Sequence, residues 1–308
     1  MLFRSKVPLH RSGRQFVGFN GLIEAQDTPT ILYGTSMENI FLSAKIADVS
    51  AIHLWDTSEV IDMRYAFFGA KNFNANISTW QTDLCLSFDR TFFNAESFNQ
   101  NISTKEVIKD GNSYIAWNTK QVESMYSTFY GAHAFNNNDQ EFYWSTFAVK
   151  TFESMFRDAT AFNKDISTKL VTVGGEYVFV AWDTSQATNM IRTFQSATSY
   201  NQPMSNWNVS NVIDFDNFLS GASSFSQYLG SWAVLPGIRT TSMFWGTKLA
   251  QDYPYLPTTP GNVEYTFYLS NSANGWLKYV EGEPAEVLLS SAVISENVAI
   301  GKIGRAHV

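Results

Sequence analysis

Residues able to do chemistry are thinly spread along this 308-residue chain. His10, His53, His133 and His307 are scattered, and none has a metal-ligand neighbour at useful spacing. Cys85 is the only cysteine, which excludes an internal disulfide framework. Asp62 and Asp214 hold equivalent places in a repeat, but Ser87, Ser124, Thr151, Asn189 and Arg239 fill that place elsewhere. A calcium ladder wants carboxylates in adjacent units, so a run of small polar groups on a solvated face is the simpler reading. No glycine-rich phosphate cradle is present. No cluster of carboxylates breaks the repeat on one face, as carbohydrate cleavage would require. What remains is recognition chemistry. Tyr114, Ile115, Tyr177 and Phe179 lie in two insertions and carry more apolar surface than the repeat needs, as protein-binding anchors do.

The repeat is what must position them. Trp55, Trp80, Trp117, Trp144, Trp182, Trp207 and Trp232 are separated by 25, 37, 27, 38, 25 and 25 residues. Counting from each Trp, offset 12 holds Phe67, Phe92, Phe129, Phe156, Phe194, Leu219 and Phe244. Offset 18 holds Phe73, Phe98, Phe135, Phe162, Tyr200 and Phe225, and offset 19 holds Asn74, Asn99, Asn136, Asn163, Asn201 and Ser226. A unit this short cannot bury its own apolar face and must stack on its neighbours. Cys85 shares offset 5 with Val60, Val122, Val149 and Val212, so it reads as a small buried hydrophobe rather than a reactive thiol.

Alternating β-branched residues after each Trp predict a short strand. Met63 to Gly69 and Met125 to Gly131 place apolar residues four apart before a glycine, which predicts a short helix with a glycine stop. The expected fold class is therefore an α/β solenoid of parallel coils, each made of a short strand plus a short helix. The Asn series is expected to cap backbone groups from coil to coil, with a ligand role as the alternative.

The two long steps carry insertions near 104–115 and 168–180. Each has β-rich arms around Asp110-Gly111 or Gly174-Gly175, pairs suited to hairpin turns. The hairpins should lie about 10 Å apart and cover each other with Val107, Tyr114, Val171, Val173, Tyr177 and Phe179. The competing reading is a protruding edge that binds a partner.

The domain reading is a worn N-terminal repeat or cap at 6–54, seven repeats at 55–253, and a C-terminal cap or truncated β-module at 254–301. Leu2 to Ser5 and Lys302 to Val308 resemble translated sequencing adaptor, so 1–5 and 302–308 are set aside and the lack of a leader means nothing. Net charge is −7, which gives no footprint for nucleic acid or an anionic membrane. No stretch approaches the ~20 apolar residues of a membrane helix.

Trp55-Asp-Thr-Ser-Glu-Val-Ile-Asp-Met63, Trp182-Asp-Thr-Ser-Gln-Ala-Thr-Asn-Met190 and Trp207-Asn-Val-Ser-Asn-Val212 resemble the tandem motif of BspA-like surface proteins, in particular a repeat of mycoplasma lipoproteins and bacterial surface proteins. Phe68 to Asn74 and Phe98 to Ser103 belong to the same motif. The resemblance covers about 55–253. It implies a leucine-rich-repeat-like solenoid and an extracellular or cell-surface protein that adheres to, or binds, a protein or matrix ligand. It implies neither catalytic residues nor a cofactor. The alternatives are a carbohydrate-binding or carbohydrate-cleaving β-solenoid and a structural wall or matrix protein. Asn76-Ile-Ser78, Asn101-Ile-Ser103 and Asn208-Val-Ser210 are glycan-acceptor sequons, or by-products of the repeat.

Overall fold

The computed structural model describes residues 14, 16–19, 28–45, 51–227, 229, 232–235 and 237–252. The expected cap at 254–301 and both adaptor-like ends lie outside them.

The α/β solenoid is not what the chain builds. One α-helix is present among the described residues, α1 at Lys248–Asp252, and no repeat from Trp55 to Trp207 contains one. Strands form three two-stranded sheets. In the first, β1 (Thr35–Ser36) pairs in parallel with β2 (Val60–Asp62). The others are the antiparallel hairpins β3 (Lys105–Lys109) with β4 (Asn112–Ala116) and β5 (Lys169–Val173) with β6 (Tyr177–Ala181). Parallel pairing was expected at the tryptophans. It falls instead at offset 7, as single-residue bridges from Ser87 through Ser124, Thr151, Asn189 and Asp214 to Arg239.

The reason is visible in the backbone. Offset 10 is left-handed in every repeat: Tyr65, Arg90, Ser127, Ser154, Arg192, Asn217 and Ser242. So is offset 14, at Gly69, Asn94, Gly131, Asp158, Ser196, Gly221 and Gly246. A left-handed residue every fourth position stops helix propagation, because a right-handed helix needs an unbroken run of right-handed dihedrals. The N–H groups divide between two uses. Those of Ser127, Phe129 and Gly131 donate to the next repeat, at Glu153, Met155 and Arg157 carbonyls, over 2.8 Å each. Those of Thr128, Tyr130 and Ala132 close local turns three residues back. The four-residue apolar spacing is thus real, but it is the period of stacked turns.

The expected core forms. The seven tryptophans that begin the repeats are at most 4% exposed, and the offset-12 residues at most 1%. Phe67, Phe92, Phe129 and Phe156 stack ring on ring with centroids 5.2–5.6 Å apart and planes within 4° of parallel. Each large aromatic contributes about 2–3 kcal/mol by burial. Polar atoms tie the same repeats together. Indole N–H groups of Trp80, Trp117 and Trp232 donate to the Ile52, Ile77 and Met204 carbonyls at 2.8–3.0 Å. Thr57, Thr82, Thr119, Thr146 and Thr184 donate their hydroxyls to backbone carbonyls of the following repeat at 2.8–3.0 Å. The stack also reaches back beyond Trp55: Phe16 lies on Phe41 at 5.2 Å and Phe41 on Phe67 at 5.4 Å.

Candidate functional site

Two features rise out of the turn ladder, and both are the hairpins. In the first, Asp110 (φ 52°) and Gly111 (φ 80°) supply the two positive dihedrals of a tight two-residue turn. In the second, Val173 pairs with Tyr177, so the loop holds three residues, with Gly174 and Gly175 both at positive φ. The chain re-enters the stack through Trp117 (φ 49°) and Trp182 (φ 55°), whose N–H groups bond the Trp80 and Trp144 carbonyls at 2.9 and 3.0 Å. Thr104 and Thr168 clamp each base by donating to the Trp117 and Trp182 carbonyls, both at 2.7 Å.

Pleating gives each hairpin two faces. Val107 and Tyr114 share one face of β3–β4, and the Tyr114 hydroxyl donates to the Thr79 carbonyl at 2.8 Å. Glu106, Ser113 and Ile115 share the other, which meets β5–β6 across a groove of about 480 Å³ completed by Val173, Gly174, Glu176 and Tyr177. Gly174 lies close to Glu106 there, whose Oε2 is 2.5 Å from where a Cβ would stand. Val171 and Phe179, on the same face as Val173 and Tyr177, are buried at 9% exposure. The two hairpins thus line one groove, while Val107 and Tyr114 lie on the opposite pleat and pack with the core.

Of the four anchor candidates, Phe179 is buried, and Tyr114, Ile115 and Tyr177 are half-buried. Tyr177 and Ile115 come together at the groove; Tyr114 and Phe179 do not line it. The Tyr177 hydroxyl bonds Asn118 Oδ1 at 3.0 Å. Burial pushes the phenols of Tyr114 and Tyr177 above their ordinary range. Both therefore stay protonated and act as apolar bodies with one tethered polar tip. Exposure falls on other residues. Leu170 (72%), Val178 (53%) and Val180 (39%) form the outward face of β5–β6 with Thr172, and Ile108 (74%) projects from β3. Strand alternation marks them, since each neighbours an inward residue.

The remaining chemical candidates are structural. Asp214 and Asp216 are buried and share the Arg239 guanidinium, with Asp214 Oδ2 at 3.3 Å from it. Burial, with help from the Asp216 charge, raises the Asp214 carboxyl above its usual range. Asp62 lies apart from them, paired with Arg64 at 2.8 Å. Asn76, Asn101 and Asn208 each use Oδ1 to accept the N–H two residues on, at 2.9–3.1 Å. No group of three His, Cys, Asp or Glu able to hold a metal occurs among the described residues. Nor is any described helix long and apolar enough to cross a membrane.

No curated protein and no solved structure matches the chain. A protein family does, in two successive regions, residues 35–170 and 176–274, which flank residues 171–175 of the second hairpin and together take in most of the sequence. The chain belongs to this family, described as Mycoplasma protein of unknown function, DUF285.

Proposed function

We propose that the chain is a non-catalytic binding protein, displayed at a cell surface or secreted, in which the turn ladder is a scaffold and the hairpins meet a protein or matrix ligand. The observation that carries this reading is that, although the ladder also exposes Leu86, Phe147 and Ile213, the exposed aliphatic side chains Leu170, Val178 and Val180 share one face of β5–β6. Leu170, Val178, Val180 and Ile108 stand on the two elements that interrupt the repeat. Ladder positions are bonded to neighbouring repeats and have little freedom to adapt, whereas hairpins tolerate variation. Resemblance to BspA-like surface proteins supports the surface location and the adhesive role.

Carbohydrate binding is the weaker reading. Sugars stack on aromatic faces; Phe68, Phe93 and Tyr130 have theirs in a mutual stack, and the exposed rings of Tyr33, Phe147 and Trp245 stand singly in different parts of the chain. Phe68 lies on Phe93 at 4.6 Å, Phe93 on Tyr130 at 4.4 Å, and Arg157 lies over Tyr130 at 4.9 Å.

The test is replacement of 104–115 and 168–180 by short linkers, followed by binding to arrays of cell-surface and matrix proteins. The variant is expected to keep its cooperative thermal unfolding and lose binding. Undiminished binding would place recognition on the ladder and refute the proposal. Incubation with polysaccharides and peptides is expected to give no turnover; turnover abolished by Asp214→Asn would overturn the non-catalytic reading.

A further inference from the structure

We infer that the second hairpin is a strap, which lies along the ladder and makes the levels from Trp80 to Trp207 open as one unit. Each repeat tryptophan marks a level, and levels in a stacked chain ordinarily contact only their nearest neighbours. The Trp117 and Trp182 levels are separated by Trp144, whose ring lies 6.0 Å from one and 6.4 Å from the other. β5–β6 joins them directly. Its root is on the Trp182 level, where Thr168 donates to the Trp182 carbonyl at 2.7 Å. Two more bonds pin Thr168 forward to Asn206, beside Trp207: its N–H donates to Oδ1 at 3.1 Å, and its carbonyl accepts from Nδ2 at 2.6 Å. Further along, the Lys169 ammonium lies over the Tyr143 ring, 5.3 Å from the centroid. At the tip, Tyr177 donates to Asn118 Oδ1, beside Trp117, at 3.0 Å. Asn118 passes the tie on, its Nδ2 donating to Asp83 Oδ1 on the Trp80 level at 2.6 Å. The dimensions allow this reach, since a five-residue arm extends about 17 Å and two levels take about 10 Å.

The tie is separable from the fold. Asp83 stands at offset 3, where other repeats place Ser58, Lys120, Phe147, Ser185 and Ser210, so no repeat needs a carboxylate there. The aromatic columns keep global melting cooperative with or without the strap, and its effect is therefore confined to partial openings. Its consequence is a firm mount: the Leu170, Val178 and Val180 face is held by what lies beneath it, whatever that face meets.

Hydrogen exchange of the full folded chain in sub-denaturing urea, resolved by mass spectrometry, reads this directly. The amides of Glu123, Lys150 and Thr188 join the strapped levels, bonding the Leu86, Glu123 and Lys150 carbonyls at 2.8–2.9 Å. They are expected to open together with the β5–β6 amides, with one urea dependence. Tyr177→Phe keeps the ring and removes the tie, and should speed both sets about two- to tenfold. Asp83→Ala, three levels from the root, should speed both sets in the same direction. The amides of Phe215 and Asn217, which bond the Trp232 repeat at 2.7 Å each, lie outside the strap and should keep the parent rate in both variants. Parent rates in β5–β6 for either variant overturn the proposal. So does acceleration confined to β5–β6, which would make the hairpin a local flap, and so does equal acceleration at Phe215 and Asn217, which would be general destabilisation.

Discussion

The Oδ1 of Asn163 accepts the backbone N–H of Asn201 from the following repeat at 2.9 Å, and the Asn201 Oδ1 in turn accepts the N–H of Ser226 at 2.9 Å. Asn74, Asn99 and Asn136 form the same link at the same distance. Five side chains thus satisfy five N–H groups that have no carbonyl in reach. Asn163→Ala strands the Asn201 N–H in a half-buried position and also removes the acceptor for Gln202 at 3.0 Å. Expected destabilisation in urea unfolding is about 1–3 kcal/mol. Asn163→Asp keeps an acceptor oxygen and should cost less. Equal losses for both variants would deny the ladder its role.

This ladder was legible in the sequence because an unbroken column of one short amide at a fixed offset has few other uses. The buried Trp and Phe columns were legible for the same reason. The helix was misread because Met63 and Phe67, like Met125 and Phe129, sit four apart both in a helix and in two successive turns. Offset 14 hints at the turns through Gly69, Gly131 and Gly221. Offset 10 gives no hint, since Tyr65, Arg90 and Ser127 are ordinary residues forced into left-handed backbone. The hairpins followed from their turn pairs. Which of their side chains would be exposed depended on which pleat faced the sister hairpin, and that is decided by tertiary packing.

The left-handed positions give a paired prediction. Gly131 has φ +66°, and a Cβ there would stand 2.1 Å from the Asn94 Oδ1. Gly131→Ala should cost at least about 1–2 kcal/mol. Ser154, left-handed at φ 56°, should accept glycine at little or no cost. Thermal midpoints that fall equally in both variants would contradict the assigned backbone.

Tyr200 stands in a column of phenylalanines that ends at Ala250, fully buried, with no partner for its hydroxyl among the described residues. Tyr200→Phe is expected to raise stability by about 1 kcal/mol, because a buried unpaired hydroxyl costs more than it returns. A clear loss in urea unfolding would mean the hydroxyl is bonded in solution.

Cys85 is buried, and burial, followed by the charges of Asp62 and Asp83, pushes its thiol far above the ordinary range. Native protein should leave a thiol-reactive dye unchanged at neutral pH, and one equivalent should react in denaturant. Rapid modification of the native chain would show that the core near Val60 opens.

Central to the account is a division of labour between an inert ladder and a hairpin face that recognises. Two charge insertions separate them, both at exposed side chains. Leu170→Lys with Val178→Lys alters the hairpin, and Leu86→Lys with Ile213→Lys alters the ladder, where exposures are 54% and 59%. Binding to the cell-surface and matrix array is the measurement. The hairpin pair should lose binding and the ladder pair should keep it, both folded. Loss in the ladder pair with binding retained in the hairpin pair would contradict the account.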